Sequence, residues 1–228
     1  MLLFWLNDAA AARCDYMHFL ALLLHTMSAS AITLYTNRMC PYAQRVAIAL
    51  EHSGLQHDKV EVDLYGSKGF TKKDLKAVEA AAGLSPKGYI PVLSIDDETL
   101  RESTKCVERI GALAPEQLAP GDAAAAAWAV AHCDGPITRS GKDAVFSGQA
   151  STPQLERALR DLDAKLTRDF VAGDAFSTAD CVLLPFLFRI RKELEIPADA
   201  SRLRGYLERA FAHPSFRRTV AEPYWWWW

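Results

Sequence analysis

The sequence predicts an α/β unit followed by an all-α bundle, and three observations carry that expectation. Short alternating runs of β-prone residues interleave with helix-like stretches only between Ala31 and Ile110. Beyond Gly111 the strand signals vanish, and apolar residues recur at helical spacing. Half of the 228 residues are hydrophobic and 24% are charged. That is enough apolar material for one large core or two smaller ones, and too much for long disorder. The 26 Lys and Arg against 28 Asp and Glu, a formal net charge of −2, argue against a nucleic-acid partner. Phosphate binding needs a concentrated basic excess.

Residues 1–30 read as an N-terminal extension outside the fold. Met1 to Thr26 holds two apolar runs, broken by Asn7-Asp8 and by Arg13-Cys14-Asp15. Neither approaches the roughly 20 residues a membrane helix needs, so no stable membrane insertion is expected. Phe19 to Leu24 followed by Ser28-Ala29-Ser30-Ala31 only weakly imitates a secretory signal, which would have a basic start and one longer apolar stretch. Met27 is an alternative start just ahead of the first strand; a working targeting segment is the competing expectation.

The α/β unit is placed at 31–112. Ile32-Thr33-Leu34-Tyr35 is a short alternating strand. Pro41 opens a helix, where a first-turn proline is tolerated; Val46, Ala49, Leu50 and Ser53 form its apolar or small stripe, and Gly54 ends it. From Lys59 to Leu64, Val60, Val62 and Leu64 alternate with Lys59, Glu61 and Asp63. Val92-Leu93-Ser94-Ile95 is a third strand, Asp96-Asp97 turns it into a fourth around Thr99-Leu100, and Glu102-Ser103 starts a helix. The order β-α-β-(α)-β-β-α, with one parallel crossover and a terminal hairpin, makes a unit of about 80 residues.

Residues 113–120 form the expected linker, bracketed by Pro115 and Pro120, and 121–228 the helical half. Asp122 caps an Ala-rich helix to His132. Gly141 to Ala150 reads as a loop within an irregular stretch from Gly135. Thr152-Pro153 opens a strongly periodic helix through Asp169. Ser177-Thr178-Ala179-Asp180 has capping-box form ahead of an apolar run, and a last helix covers Leu203 to Phe211. The four Trp at 225–228 have no assigned role.

Five cysteines, widely spaced and without a Cys-x-x-Cys pair, make neither a disulfide framework nor a zinc site. Six histidines likewise show no metal-ligand spacing, so no metal is expected. This usage points to a reducing compartment, with a cytoplasmic location expected. Cys106, Cys133 and Cys181 sit among apolar neighbours at helical spacing and read as buried fillers. Cys40 differs: it follows the first strand at the N-terminal edge of the first helix, where unpaired N–H groups and the helix dipole favour an anion. A free thiol of pKa about 8.5 is only a few per cent thiolate at neutral pH, and a drop of two units makes it mostly thiolate.

Cys40-Pro41-Tyr42-Ala43-Gln44-Arg45 after a strand resembles the active-site turn of glutaredoxins and of cysteine-type glutathione transferases. Ser85-Pro86-Lys87-Gly88-Tyr89-Ile90-Pro91-Val92-Leu93 resembles the transferase signature, Glu102-Ser103 falls where that family has its Glu/Ser pair, and Ser177-x-x-Asp180 matches its C-terminal capping box. The cysteine turn is most similar to the omega class, with lambda and dehydroascorbate reductase types close behind. The resemblance implies a thioredoxin-like N-terminal domain with a C-terminal helical bundle, and glutathione as co-substrate.

It also implies roles. Cys40 would be the nucleophile, with Tyr42 beside the sulfur. Pro91 would follow a cis bond, and Ile90 would pair its backbone with the cysteinyl part of glutathione. Ser103 would hold the γ-glutamyl carboxylate at a helix start, and Glu102 would help place that end. Lys68 would meet the glycyl carboxylate. Tyr35 resembles the tyrosine that activates glutathione in other classes but is expected to be a strand residue. The implied activity is glutathione-dependent thiol transfer or dehydroascorbate reduction on small-molecule thiols and disulfides. Conjugation of electrophiles and a non-catalytic binding module are the alternatives. The family implies a homodimer or a monomer. Ala80-Ala81-Ala82-Gly83-Leu84 and the Lys87-Gly88 pair depart from the family pattern.

Overall fold

A computed structural model of the protein describes residues 31–224; the expected extension over 1–30, with Cys14 and Met27, and the Trp225–Trp228 tail lie outside them. Strand β1 (Ile32–Thr36) buries Ile32, Leu34 and Thr36 on alternate positions, as its period-2 pattern demands. The chain then enters helix α1 (Pro41–Ser53), with Pro41 in its first turn and Gly54 in the left-handed conformation at φ 71° closing it. Strand β2 (Asp58–Asp63) returns parallel to β1, with Thr33 opposite Asp58. Strand β3 (Phe70–Thr71) and helix α2 (Lys72–Ala81) follow. Strands β4 (Val92–Ile95) and β5 (Glu98–Arg101) form the expected hairpin, and helix α3 (Ser103–Leu113) completes the α/β layer. The sheet order is β3-β2-β1-β4-β5, with β4 antiparallel to β1. This is the thioredoxin-like arrangement that the resemblance implied. Strand β3 was not expected, because two residues are too short to show a period.

The helical half comprises α4 (Pro115–Leu118), α5 (Ala123–His132), α6 (Thr138–Phe146), α7 (Pro153–Lys165), α8 (Thr178–Glu193), α9 (Ser201–Ala212) and α10 (Pro214–Arg217). Asp122 caps α5 through the Ala125 N–H at 2.9 Å. Three expectations need correction. The linker over 113–120 contains the helical turn α4, whose Leu118 is fully buried and ties it to the core. The stretch from Gly135 and the loop from Gly141 to Ala150 are largely helical. A π-helical turn over Cys133–Ile137 carries Pro136, and the Thr138 N–H bonds back to Cys133 O. From there α6 runs to Phe146 with Ser140, Gly141 and Ala144 buried. Packing thus overrides the poor helix propensity of Ser140 and Gly141. Finally, α7 stops at Lys165 instead of Asp169; the chain folds back there, pairing Phe170 with Gly173.

One hydrophobic core joins α1 and α3 to the helical half, while a smaller one, Val62, Leu75 and Val92, lies with Tyr35, Leu64, Phe70 and Ile90 packed on it. Tyr35 is a strand residue whose ring stands 5.3 Å from that of Phe70. Cys106, Cys133 and Cys181 are fully buried and form no disulfide; Cys106 and Cys181 pack as the expected fillers, while Cys133 Sγ also takes part in hydrogen bonds, donating to Val182 O at 3.7 Å. The spine of the helical half is α8, buried along most of its length. Its capping box at Ser177 and Asp180 is present. The Asp180 carboxylate accepts from the Ser177 N–H and hydroxyl at 2.9 Å, from Val171 N–H at 3.2 Å and from Tyr206 Oη at 2.9 Å. Burial raises the Asp180 carboxyl, and these donors oppose that rise.

Replacing Asp180 by Ala strands those buried donors. At roughly 1–3 kcal/mol for each unsatisfied group, the loss should exceed about 3 kcal/mol, read as a lower denaturant midpoint with an unchanged slope.

Candidate active site

The parallel crossover brings the β1–α1 turn, the chain entering β4 and the start of α3 to one end of the sheet. A cleft of about 610 Å³ opens there. Cys40, Tyr42, Ile90, Pro91, Glu102 and Ser103 all line it. Pro91 follows a cis peptide bond, as the resemblance implied. Lys68 is the exception: it is absent from the cleft wall, and its N–H turns back to Asp63 Oδ2 at 3.4 Å in the loop after β2. Lys72 and Lys87 line the cleft in its place. Lys72 sits 5.3 Å from the Tyr89 ring, and its stem packs where a side chain at Gly88 would have to go.

Cys40 caps α1 with extended backbone at φ −79°, ψ 124°, its side chain making no cap hydrogen bond, and the N–H groups of Tyr42 and Ala43 at the helix opening favour an anion on its sulfur. Only 3% of the residue is exposed. Burial pushes its thiol up; the two N–H groups and the Arg189 and Arg45 guanidiniums pull it down, but burial is the larger effect. The depressed thiol expected from the helix opening is therefore not found. The N–H groups of the opening favour the anion, but desolvation outweighs them.

Sequence reasoning missed the group that ties the site together. Arg45 is 1% exposed, its Nε donating to Val182 O at 2.9 Å and its Nη1 to Ser103 Oγ at 3.2 Å. Its Nη2 reaches Cys133 Sγ at 3.4 Å and Asp134 Oδ1 at 2.5 Å. The guanidinium also lies 4.5 Å from the Phe186 ring centre. Asp134, from the π-helical turn, lines the cleft and accepts from Thr104 Oγ1 at 3.3 Å through its other oxygen. Arg45 belongs to the cysteine turn quoted above, but nothing local announces partners as far along the chain as Asp134 and Val182.

On the opposite wall Arg101 donates to Ser85 O at 2.6 Å and pairs with the fully buried Glu79 at 3.4 Å. Glu79 also accepts from the Gly88 N–H at 2.6 Å. These bonds hold the loop leading to Ile90-Pro91. Glu102 stands at φ 68°, ψ 111°, a backbone region hostile to non-glycine residues. Strain of this kind clusters at active sites and ligand clamps, and here it falls on a cleft-lining carboxylate. Among the described residues, no group of three or more His, Cys, Asp or Glu is placed to hold a metal, and no helix is long and apolar enough to cross a membrane.

The chain is also similar to known proteins. The glutathione S-transferase N-terminal domain model matches residues 34–118, and the glutathione S-transferase C-terminal domain model matches 145–209. A probable glutathione S-transferase DHAR2, chloroplastic, of Oryza sativa subsp. japonica is 24% identical over 192 residues, which cover 80% of this chain and 65% of that protein. Glutathione S-transferase DHAR3, chloroplastic, of Arabidopsis thaliana is 24% identical over 80% of this chain and 69% of its own length. Glutathione transferase Omega 2C from Trametes versicolor superposes with a TM-score of 0.69 at 26% identity, covering 85% of this chain and 94% of its own.

Glycine at position 102 would relieve the backbone, worth roughly 1–3 kcal/mol, at a cost of about 0.4–1 kcal/mol in unfolded-chain entropy. Glu102→Gly should therefore raise the melting temperature by about 2–4 °C per kcal/mol gained, while Glu102→Ala, which keeps the strain, should not.

Proposed function

The chain belongs to the glutathione S-transferase family, and within it we propose a glutathione-dependent thiol transferase of omega-like type whose nucleophile is Cys40. The observation that carries the reading is the shared cleft. One cavity joins the helix-capping sulfur, the backbone edge at Ile90 before cis-Pro91, and the hydroxyl of Ser103 at the start of α3. Glutathione docks along that edge as an extra strand would. Its γ-glutamyl carboxylate meets Ser103, and its ammonium meets Glu102 and Asp134. Its glycyl carboxylate lies toward Lys72 and Lys87, which replace the earlier candidate Lys68. The charge of the lining supports this direction, with acids beside Ser103 and lysines beside Tyr89.

The reaction is a monothiol exchange. The Cys40 thiolate attacks the glutathionyl sulfur of a mixed disulfide, forming Cys40–S–SG and releasing the other thiolate. A second glutathione thiolate attacks the Cys40–S–SG bond, giving oxidised glutathione and free Cys40. Ala43, where dithiol proteins carry a second cysteine, leaves no second thiol within the Cys40 turn to intercept the adduct. Dehydroascorbate is a candidate acceptor, reduced as two glutathiones are oxidised to the disulfide. The buried free cysteines accord with a reducing compartment, and we assign the protein to the cytoplasm.

The burial of Cys40 and its raised thiol favour one competing reading, a module that binds glutathione without turnover. The two are separated by assaying wild type and Cys40→Ser with a glutathione mixed disulfide and with dehydroascorbate. Thiol transfer predicts a fall of about 10³-fold or more in the variant, a glutathionyl adduct on Cys40 by mass spectrometry, and wild-type turnover that climbs with pH above neutrality as the raised thiol ionises. Full activity in Cys40→Ser rejects the mechanism. Retention on glutathione-agarose with no wild-type turnover selects the binding module.

A further inference from the structure

The turn that carries Cys40 is gripped from the helical half as well as from its own. Arg189, on α8, is 1% exposed. Its Nη2 donates to Met39 O at 3.0 Å, the carbonyl immediately before Cys40. Its Nη1 donates to Gln44 Oε1 at 3.0 Å and to Pro185 O at 2.7 Å. Gln44 in turn gives its N–H to Cys40 O at 3.0 Å, closing the first turn of α1. The guanidinium thus brackets the cysteine along the chain, fixing the peptide ahead of it and the side chain of the residue that completes its turn. The Tyr224 ring lies 5.2 Å away, with its hydroxyl on Glu193 at 2.5 Å.

We propose that Arg189 is the positioning residue of the Cys40 nucleophile: from α8 it locks the Met39 carbonyl and the Gln44 side chain, and it holds a cation beside the sulfur. The proposal rests on Cys40 being the reacting group. A fixed cation in a dry site favours thiolate over thiol, because the same charge acts more strongly where water is excluded. Arg189 on α8 and Arg45 on α1 act on the sulfur, and the other charged or titratable groups sharing its cleft are Tyr42 on α1, Asp134 in the π-helical turn, Glu102 before α3, and Lys72, Lys87 and Arg101. Both guanidiniums, Arg189 and Arg45, favour the anion on Cys40. Burial brings Arg189 down to about 10, which leaves it charged at neutral pH.

The test is the pH dependence of Cys40 alkylation by iodoacetamide, with the adduct located by mass spectrometry, in wild type, Arg189→Met and Arg189→Lys. Alkylation needs no glutathione, so a wild type that alkylates normally but never turns over would sink thiol transfer and leave this titration standing. Arg189→Met should move the midpoint up by about one pH unit and slow alkylation about tenfold at pH 7, while Arg189→Lys stays much closer to wild type. A folded Arg189→Met protein with an unchanged midpoint, or a lysine variant no better than the methionine one, overturns the proposal. If Arg189→Met does not fold, Gln44→Met decides. Loss of that anchor should raise the midpoint partway, and an unshifted midpoint overturns the role.

Discussion

A buried guanidinium must have its donors satisfied, and that demand on Arg45 organises the protein. Four of its hydrogen bonds end on three other parts of the chain: α8 at Val182, α3 at Ser103, and the π-helical turn at Cys133 and Asp134. Leaving such a charge unpaired inside a protein costs several kcal/mol. The thioredoxin-like layer and the helical half therefore close on one geometry. Ser103 and Asp134, which face the same cleft, are thereby placed by one side chain. The binding wall and the domain contact are the same set of bonds.

The opposite wall follows the same logic in smaller form. Glu79, fully buried on α2, is satisfied by Arg101 from β5 and by the Gly88 N–H. That fixes the loop entering Ile90-Pro91 against the sheet. Gly88 is at φ 65°, and a Cβ there would meet Lys72 Cγ at 2.8 Å, so the loop passes close over α2 and brings Lys72 beside Tyr89. The cleft is thus rigid on two sides for the same reason, a buried charge whose partners come from different elements.

What the sequence revealed were features whose meaning is local. Cys40-Pro41 states a helix start, Ile90-Pro91 a special bond within a strand-like run, Glu102-Ser103 another helix start, and Ser177 with Asp180 a cap; each is read from neighbours in the chain. Arg45, Asp134, Lys72 and Arg189 were not legible as site residues, because their roles depend on partners brought near only by folding. Lys68 shows the converse: the resemblance set it at the glycyl carboxylate, yet the loop carries its N–H back to Asp63. Helix α6 was lost for a related reason, since Ser140 and Gly141 are poor helix formers that packing nonetheless holds in a helix.

The cysteine itself embodies two opposed constraints. Placing Cys40 at the helix cap sets its sulfur at the opening where the Tyr42 and Ala43 N–H groups favour an anion, but the packing of Tyr42 against Phe186, ring centres 5.1 Å apart, and the grip of Arg189 on Met39 also enclose it. Enclosure raises the thiol and so protects it from adventitious oxidation, which needs thiolate and exposure together. The same enclosure lowers the effective dielectric, so each N–H group and each guanidinium counts for more once negative charge develops on the sulfur. Groups that favour the anion are in place before it forms, and no reorganisation is needed when it does. The proposed monothiol exchange requires this balance, a thiol kept protonated by burial until charge-favouring groups around it stabilise the anion.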